Sequence, residues 1–340
     1  MEAENEGTND GTQSLVDGCG AGPIRLDMTH LHRRIPALFA PLLLLLPSCA
    51  APAQEAVALA ATSALAPIAA PASTHATPAL WKVADKDTTI WLFGTIHILP
   101  PGIEWYAGPI TQAFEASDTL VTEIVDANEP QAAAAIARIA LSDPPSNLRD
   151  QLTPDVRRAF EDALATMGLP KAALDANDPW YAAVALSTLP LMKDGYGTMN
   201  GVEAQLLSRA KARSMPHVGL ETPEMQVQLF DSLPHETQVA YLAEVLKSFP
   251  NLREEVREMI DTWKAGKADE LARLMNEEES DPLLMKVLLV DRNKAWAGWL
   301  QERLKQPGTV FVAVGAGHLA GNDSVQAQLA GRQIKVKRVQ

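Results

Sequence analysis

The sequence predicts an α/β fold, with α+β as the alternative: a central mixed sheet, flanking helices and a largely helical middle or cap region. Two observations carry this. Short apolar, β-branched runs stand near both ends of the folded part, at 88–93 and 309–314, and the stretches between them repeat apolar residues at helical spacing. The composition is globular, 47% hydrophobic and 21% charged over 340 residues, so the chain has enough apolar surface to build such a core.

Taken in order, 80–84 and 88–93 are apolar runs split by Asp85-Lys86-Asp87, a hairpin signal. A helix follows at 110–116 and a strand at 119–125, with Glu123 near its end. Helical spacing recurs at 130–141, 154–167, 179–191 and 202–213. Pro154 and Pro179 suit a first helical turn, where a missing N–H costs nothing. A short strand over 216–220 leads into Glu221-Thr222-Pro223. Amphipathic helices are predicted at 226–249, 252–265, 268–276 and 282–305, a strand at 309–314 and a helix at 324–329. The alternation of apolar and basic residues at 334–339 suits a strand near a sheet edge.

The front of the chain reads as a leader. Arg33 and Arg34 precede an apolar segment, 35–46, of export-signal length and too short for a comfortable membrane span. Leu46-Pro47-Ser48-Cys49 resembles a lipobox, which makes Cys49 a candidate for lipidation and membrane anchoring; cleavage near 50–53 into a soluble periplasmic protein is the alternative. Residues 1–27 fit no part of a signal, and Met28 is the expected start. Residues 50–78, rich in Ala, Pro, Ser and Thr, read as an extended tether, with the folded domain over 80–340.

The net charge of −13 gives no electrostatic reason to bind nucleic acid. Both cysteines, Cys19 and Cys49, precede the folded region, so any metal in the domain must be held by His, Asp or Glu. Of seven histidines, only His97, His217, His235 and His318 fall in the domain. Two of these close a Gly-x-x-His at the end of an apolar strand, Gly94-Thr95-Ile96-His97 and Gly315-Ala316-Gly317-His318. A glycine lets the chain leave the sheet sharply. The histidine is then presented at the carboxyl edge, where open α/β sheets bind ligands. His217 and His235 are expected to be structural or exposed, and the acidic run at 277–281 a solvated loop. There is no His-Glu-x-x-His, phosphate-binding loop or Gly-x-Ser-x-Gly.

At this point a resemblance becomes specific. LWKVADKDTTIWLFGTIHILPPGIEWY and GTVFVAVGAGHLAGNDSVQAQLAGRQIKVKRV are similar to the opening and closing blocks of the TraB/GumN family. TLVTEIV, Gly201-Val202-Glu203, VGLETPEMQ and LLVDRNKAWAGWL fit as intermediate pieces. Glu203 stands where this family more often has Asp. The resemblance implies a metal-dependent hydrolase, and in the Tiki branch a peptidase favouring a manganese- or cobalt-like divalent ion. It implies His97, His318 and Glu123 as metal ligands and Glu221 as general base or further ligand. Arg292 and Asn293 would be donors to a developing oxyanion. A borderline divalent ion held by imidazole and carboxylate would acidify water and polarise a carbonyl. Other readings stay open. Glu221 also suits a helix N-terminus, and Arg292 a helix-face ion pair. The related haem-binding ChaN-like proteins point to a non-catalytic ligand-binding lipoprotein. Erythromycin-esterase-like proteins point to a non-peptide ester, and the exopolysaccharide association of GumN-type members to an envelope polysaccharide-related substrate.

Overall fold

The computed structural model describes residues 75–125, 136–276 and 281–340. The leader with Cys49, most of the tether, the first part of the helix expected at 130–141 and most of the acidic run at 277–281 lie outside the described residues. Residues 75–78, expected in the tether, are already docked: Ala76 is buried, and its N–H donates to the Glu104 carbonyl at 2.9 Å.

The strands are β1 (Leu80–Ala84), β2 (Thr88–Thr95), β3 (Thr119–Ile124), β4 (His217–Glu221), β5 (Gly308–Gly315) and β6 (Val336–Arg338). They form one mixed sheet in the order β4-β3-β5-β2-β1-β6. β4, β3, β5 and β2 are parallel neighbours, while β1 is antiparallel to both β2 and β6. The expected hairpin forms, its turn closed by the Thr88 N–H donating to the Asp85 carboxylate at 2.8 Å. The basic strand at the chain's end is the sheet edge, as the alternation predicts; charged side chains there discourage further pairing.

Both faces of the sheet are covered, which explains why its inner strands are almost continuously apolar. Along β5, Phe311 and Ala313 enter one core and Val310, Val312 and Val314 the other, as strand alternation requires. The first core is roofed by α1 (Gly108–Glu115), α5 (Val202–Ala212), α8 (Leu252–Lys264) and α9 (Ala268–Asn276). The second lies under α11 (Asp291–Arg303) and α12 (Val325–Gly331). Besides the short helix α2 (Leu148–Gln151), the middle of the chain forms a helical cap with its own core. The cap helices are α3 (Pro154–Met167), α4 (Pro179–Lys193), α6 (Pro223–Asp231) and α7 (His235–Ser248). Pro154 and Pro179 do begin α3 and α4. No described helix is long and apolar enough to cross a membrane.

Two helices differ from expectation. The span 226–249 is broken into α6 and α7 around Pro234, which lacks the N–H that a continuous helix needs. The span 282–305 begins as α10 (Pro282–Met285), passes through a π-turn at Lys286–Val290 and continues as α11. π-turns inside helices are frequent at functional sites. This one sits just before Arg292.

Candidate active site

The four parallel strands end on the same edge of the sheet, and each delivers a polar group there. In the β2–β5 pairing Thr95 stands opposite Gly315, so the two Gly-x-x-His segments leave adjacent strands at matched register. They pass so closely that a Cβ on Gly94 would sit 3.1 Å from the Ala316 Cα. β3 contributes Glu123 and β4 contributes Glu221, its last residue. The chain then turns at Thr222, whose side chain caps α6, so Glu221 belongs to the strand and not to the helix.

Arg292 reaches into this edge from the first turn of α11, and all five of its N–H groups are engaged. Nε and Nη2 grip Glu221 side-on, at 2.8 Å each. Nη2 also donates to Glu123 at 2.7 Å. Nη1 donates to the Leu288 carbonyl in the π-turn and to His318 Nε2, both at 3.1 Å. Gln226 Nε2 donates to both carboxylates, at 3.0 and 2.9 Å. Trp296 Nε1 donates to Glu221 at 2.9 Å and the Gly315 N–H to Glu123 at 2.7 Å. Glu123, Glu221 and Arg292 are all buried, so this geometry has to be complete: an ion pair taken out of water survives only when its remaining hydrogen bonds are satisfied.

His318 is locked into the same network. Its Nε2 faces a guanidinium, which can only donate, so Nε2 carries the lone pair and Nδ1 the proton. Nδ1 donates to Asn293 Oδ1 at 2.6 Å, and Asn293 Nδ2 donates to the Asp323 carbonyl at 2.8 Å. Trp296 packs against the ring at 4.4 Å between centroids. Burial, then the Arg292 charge, pushes the imidazole down to about 3, against the pull of Glu123. His318 is therefore neutral at any ordinary pH.

His97 is built differently. Its Nδ1 lies 2.6 Å from Glu203 Oε1, a carboxylate–imidazole pair that is almost wholly buried. Thr95 Oγ1 donates to the same carboxylate oxygen. The pair depends on Gly201. The Val202 N–H donates to the Ile96 carbonyl at 3.1 Å, and a Cβ on Gly201 would lie 2.0 Å from the His97 carbonyl oxygen. Only glycine lets the start of α5 dock there and bring Glu203 to the ring. Burial works to lower the His97 pKa, but Glu203 outweighs it, with help from Glu123, and holds the imidazole above its usual value. His97 Nε2 and Glu203 Oε2 are buried and have no hydrogen-bond partner among the described residues.

Burial would also push Glu123 up, yet Arg292, His318, His97 and the Gly315 N–H together hold it at about 2. These shifts set an acid limit. Glu123 is depressed from 4.5, so its contribution to stability is present above 4.5 and lost as pH falls toward 2. His318 resists the proton that the unfolded chain accepts near 6.5, so stability also falls between 6.5 and 3. His97 has the opposite sign: its contribution is full below 6.5 and is lost as pH rises through its folded value. Melting temperature is expected to drop steeply from pH 6 to 3, by free energies on the order of a few kcal/mol. His318→Gln should flatten the upper part of that fall; a melting temperature insensitive to pH over this range would contradict the arrangement.

His97, His318, Glu123, Glu221, Arg292 and Asn293 thus meet at one place, with Gly94 and Gly315 shaping the turns that bring them there. Arg292 has no N–H left for an oxyanion, and Asn293 holds His318. Among the described residues no three His, Cys, Asp or Glu side chains are placed to hold a metal ion. Arg292 donates to Glu123 Oε2 and His318 Nε2, on two of the residues that the resemblance assigns to that ion. His217 stands apart, its Nε2 2.7 Å from Thr122 Oγ1, and His235 is exposed at the start of α7.

Sequence reasoning does not single out Gln226, Trp296 or Thr95, and it leaves Glu203 without a role. Partial signals exist. Trp296 is four residues after Arg292 on one helix face, Gln226 lies within the segment following Glu221, and Glu203 follows Gly201 directly.

Comparison with known proteins places the chain in a family. No curated protein and no solved structure gives a significant match. The model of the TraB/PrgY/gumN family matches residues 79–338, spanning all six strands and both Gly-x-x-His segments. The chain belongs to the TraB/PrgY/gumN family.

Proposed function

We propose that this protein is a hydrolase of the bacterial envelope in which His97 activates water as a general base, with a peptide bond as the target suggested by resemblance to the Tiki branch. The observation that carries this reading is the buried His97–Glu203 pair with an unpartnered Nε2. Such an imidazole, oriented by a carboxylate on one nitrogen and unpartnered on the other, is the arrangement that proton transfer requires. His97 Nε2 takes a proton from water as the water oxygen bonds to the substrate carbonyl carbon. The proton is then delivered to the leaving group as its bond to that carbon breaks. Glu203 steadies the imidazolium between the two events. Arg292, Glu123, Glu221 and His318 form a separate hydrogen-bonded network at the same sheet edge.

The test is a peptide-library cleavage screen on the purified domain, with and without chelator and with added manganese or cobalt. Cleavage that survives chelation and is lost in His97→Ala supports the reading. Loss on chelation with recovery on manganese would restore the metal-dependent alternative, in which Arg292 must withdraw from Glu123 and His318. Export through the segment at 28–49 and anchoring at Cys49 complete the proposal. Cys49→Ser is expected to move the protein from the membrane fraction to the soluble periplasm; unchanged fractionation would remove the anchor.

A further inference from the structure

Beside His97 lies a cavity of about 40 Å³. Its walls come from three helices of the middle region, with Leu191 from α4, Val256, Met259 and Ile260 from α8, and Met275 from α9. His97 and Thr95 supply the polar side chains of its lining, and both are paired with Glu203. This space is poorly suited to ordered water, which needs two to four polar partners.

We propose that this cavity is the specificity pocket of the site and takes a short aliphatic group, of the size of a Val, Leu or Met side chain, next to the bond that is cut. The inference rests on the hydrolase reading and narrows its substrate class. A water needs roughly 10–15 Å³ by the same measure, so the volume suits a chain of about three or four carbons. That is too little for an indole or a porphyrin. A sugar ring would find no partners for its hydroxyls on these walls. Two of the walls are methionines, whose unbranched thioethers adapt to aliphatic groups of different branching.

The experiment uses the whole chain with its methionines ¹³C-methyl labelled, and Met259→Leu and Met275→Leu identify the two pocket signals. N-acetyl-leucine amide, N-acetyl-glycine amide and N-acetyl-tryptophan amide are titrated separately. Leucine amide is expected to move the Met259 and Met275 methyls saturably. Glycine amide should bind at least about 30-fold more weakly, since each buried methylene is worth roughly a factor of four, and tryptophan amide should leave the pair unmoved. Val256→Leu, a conservative change that fills part of the space, should weaken the leucine response several-fold while glycine binding stays the same. Equal responses to all three amides, or shifts at other methionines only, overturn the pocket.

The readout is binding, so it separates the two claims. Leucine-selective binding without cleavage of any library peptide would support the pocket and sink the hydrolase. Cleavage with no preference for aliphatic residues at any position would sink the pocket and leave the hydrolase standing.

Discussion

Arg292→Ala is expected to cost about 3–5 kcal/mol of folding free energy, the usual consequence of removing one partner from a buried ion pair. The reason is specific. Glu123 and Glu221 are both more than nine-tenths buried, and both take hydrogen bonds from this one guanidinium. Without it two carboxylates face each other across Gln226, and His318 loses the donor to its Nε2. Arg292→Lys restores the charge but not the planar fork, so it should recover only part of the loss. Equilibrium denaturation of the domain measures both. Pairing Arg292→Ala with Glu221→Gln should cost less than the sum of the two single changes, because the second removes a charge that the first leaves stranded. A stability within about 1 kcal/mol of wild type for Arg292→Ala would mean that the network is not formed as described.

The second large effect concerns chemistry. Glu203→Gln is expected to lower kcat by roughly 10²–10⁴-fold, the range associated with losing a positioned acid–base group or its orienting carboxylate. Its pH profile separates mechanism from simple disruption. Glu203 holds the His97 pKa above its ordinary value, and a general base works only when deprotonated, so activity should rise with pH through that pKa. Removing the carboxylate charge lowers the pKa and should shift the acidic limb of kcat/KM to lower pH. Glu203→Asp keeps the charge on a shorter arm and should retain part of the activity with a limb near that of wild type. His97→Ala should be inactive yet folded. His318→Gln, by contrast, should act mainly through stability, because both of its ring nitrogens are occupied within the protein. Equal loss of turnover in the two histidine variants at unchanged stability would argue for a symmetrical pair and against a single base at His97.

Much of the site is legible before folding. The two Gly-x-x-His segments can be read because strand, glycine and histidine are local features, and their register in the sheet follows from the parallel pairing of β2 with β5. Glu123 can be placed near a strand end and Glu221 at the step out of a short strand, but it is the family resemblance that implies a place for both in the site. What cannot be read is who pairs with whom. Glu203 is 106 positions from His97 in sequence, and nothing local says that α5 docks on the first loop; the clash a Gly201 side chain would make becomes visible only once the His97 carbonyl is in place. The break at Pro234 was readable from one residue, since a proline well inside an apolar helical stretch is a local warning.

With the two carboxylates, Arg292 and Asn293 supplied by the family resemblance, the sequence by itself determines the mixed sheet with helices on it and the carboxyl edge as the place where the two motif histidines gather. It does so because periodicity and glycine turns are properties of short segments. Only the tertiary structure decides that the two histidines are unlike. One is held neutral between Asn293 and Arg292, and the other is raised by Glu203 and keeps a nitrogen without a partner among the described residues. The physical reason is that protonation state and free lone pairs depend on burial and on neighbours brought from distant segments, and the same Gly-x-x-His motif leads to opposite outcomes in two such surroundings.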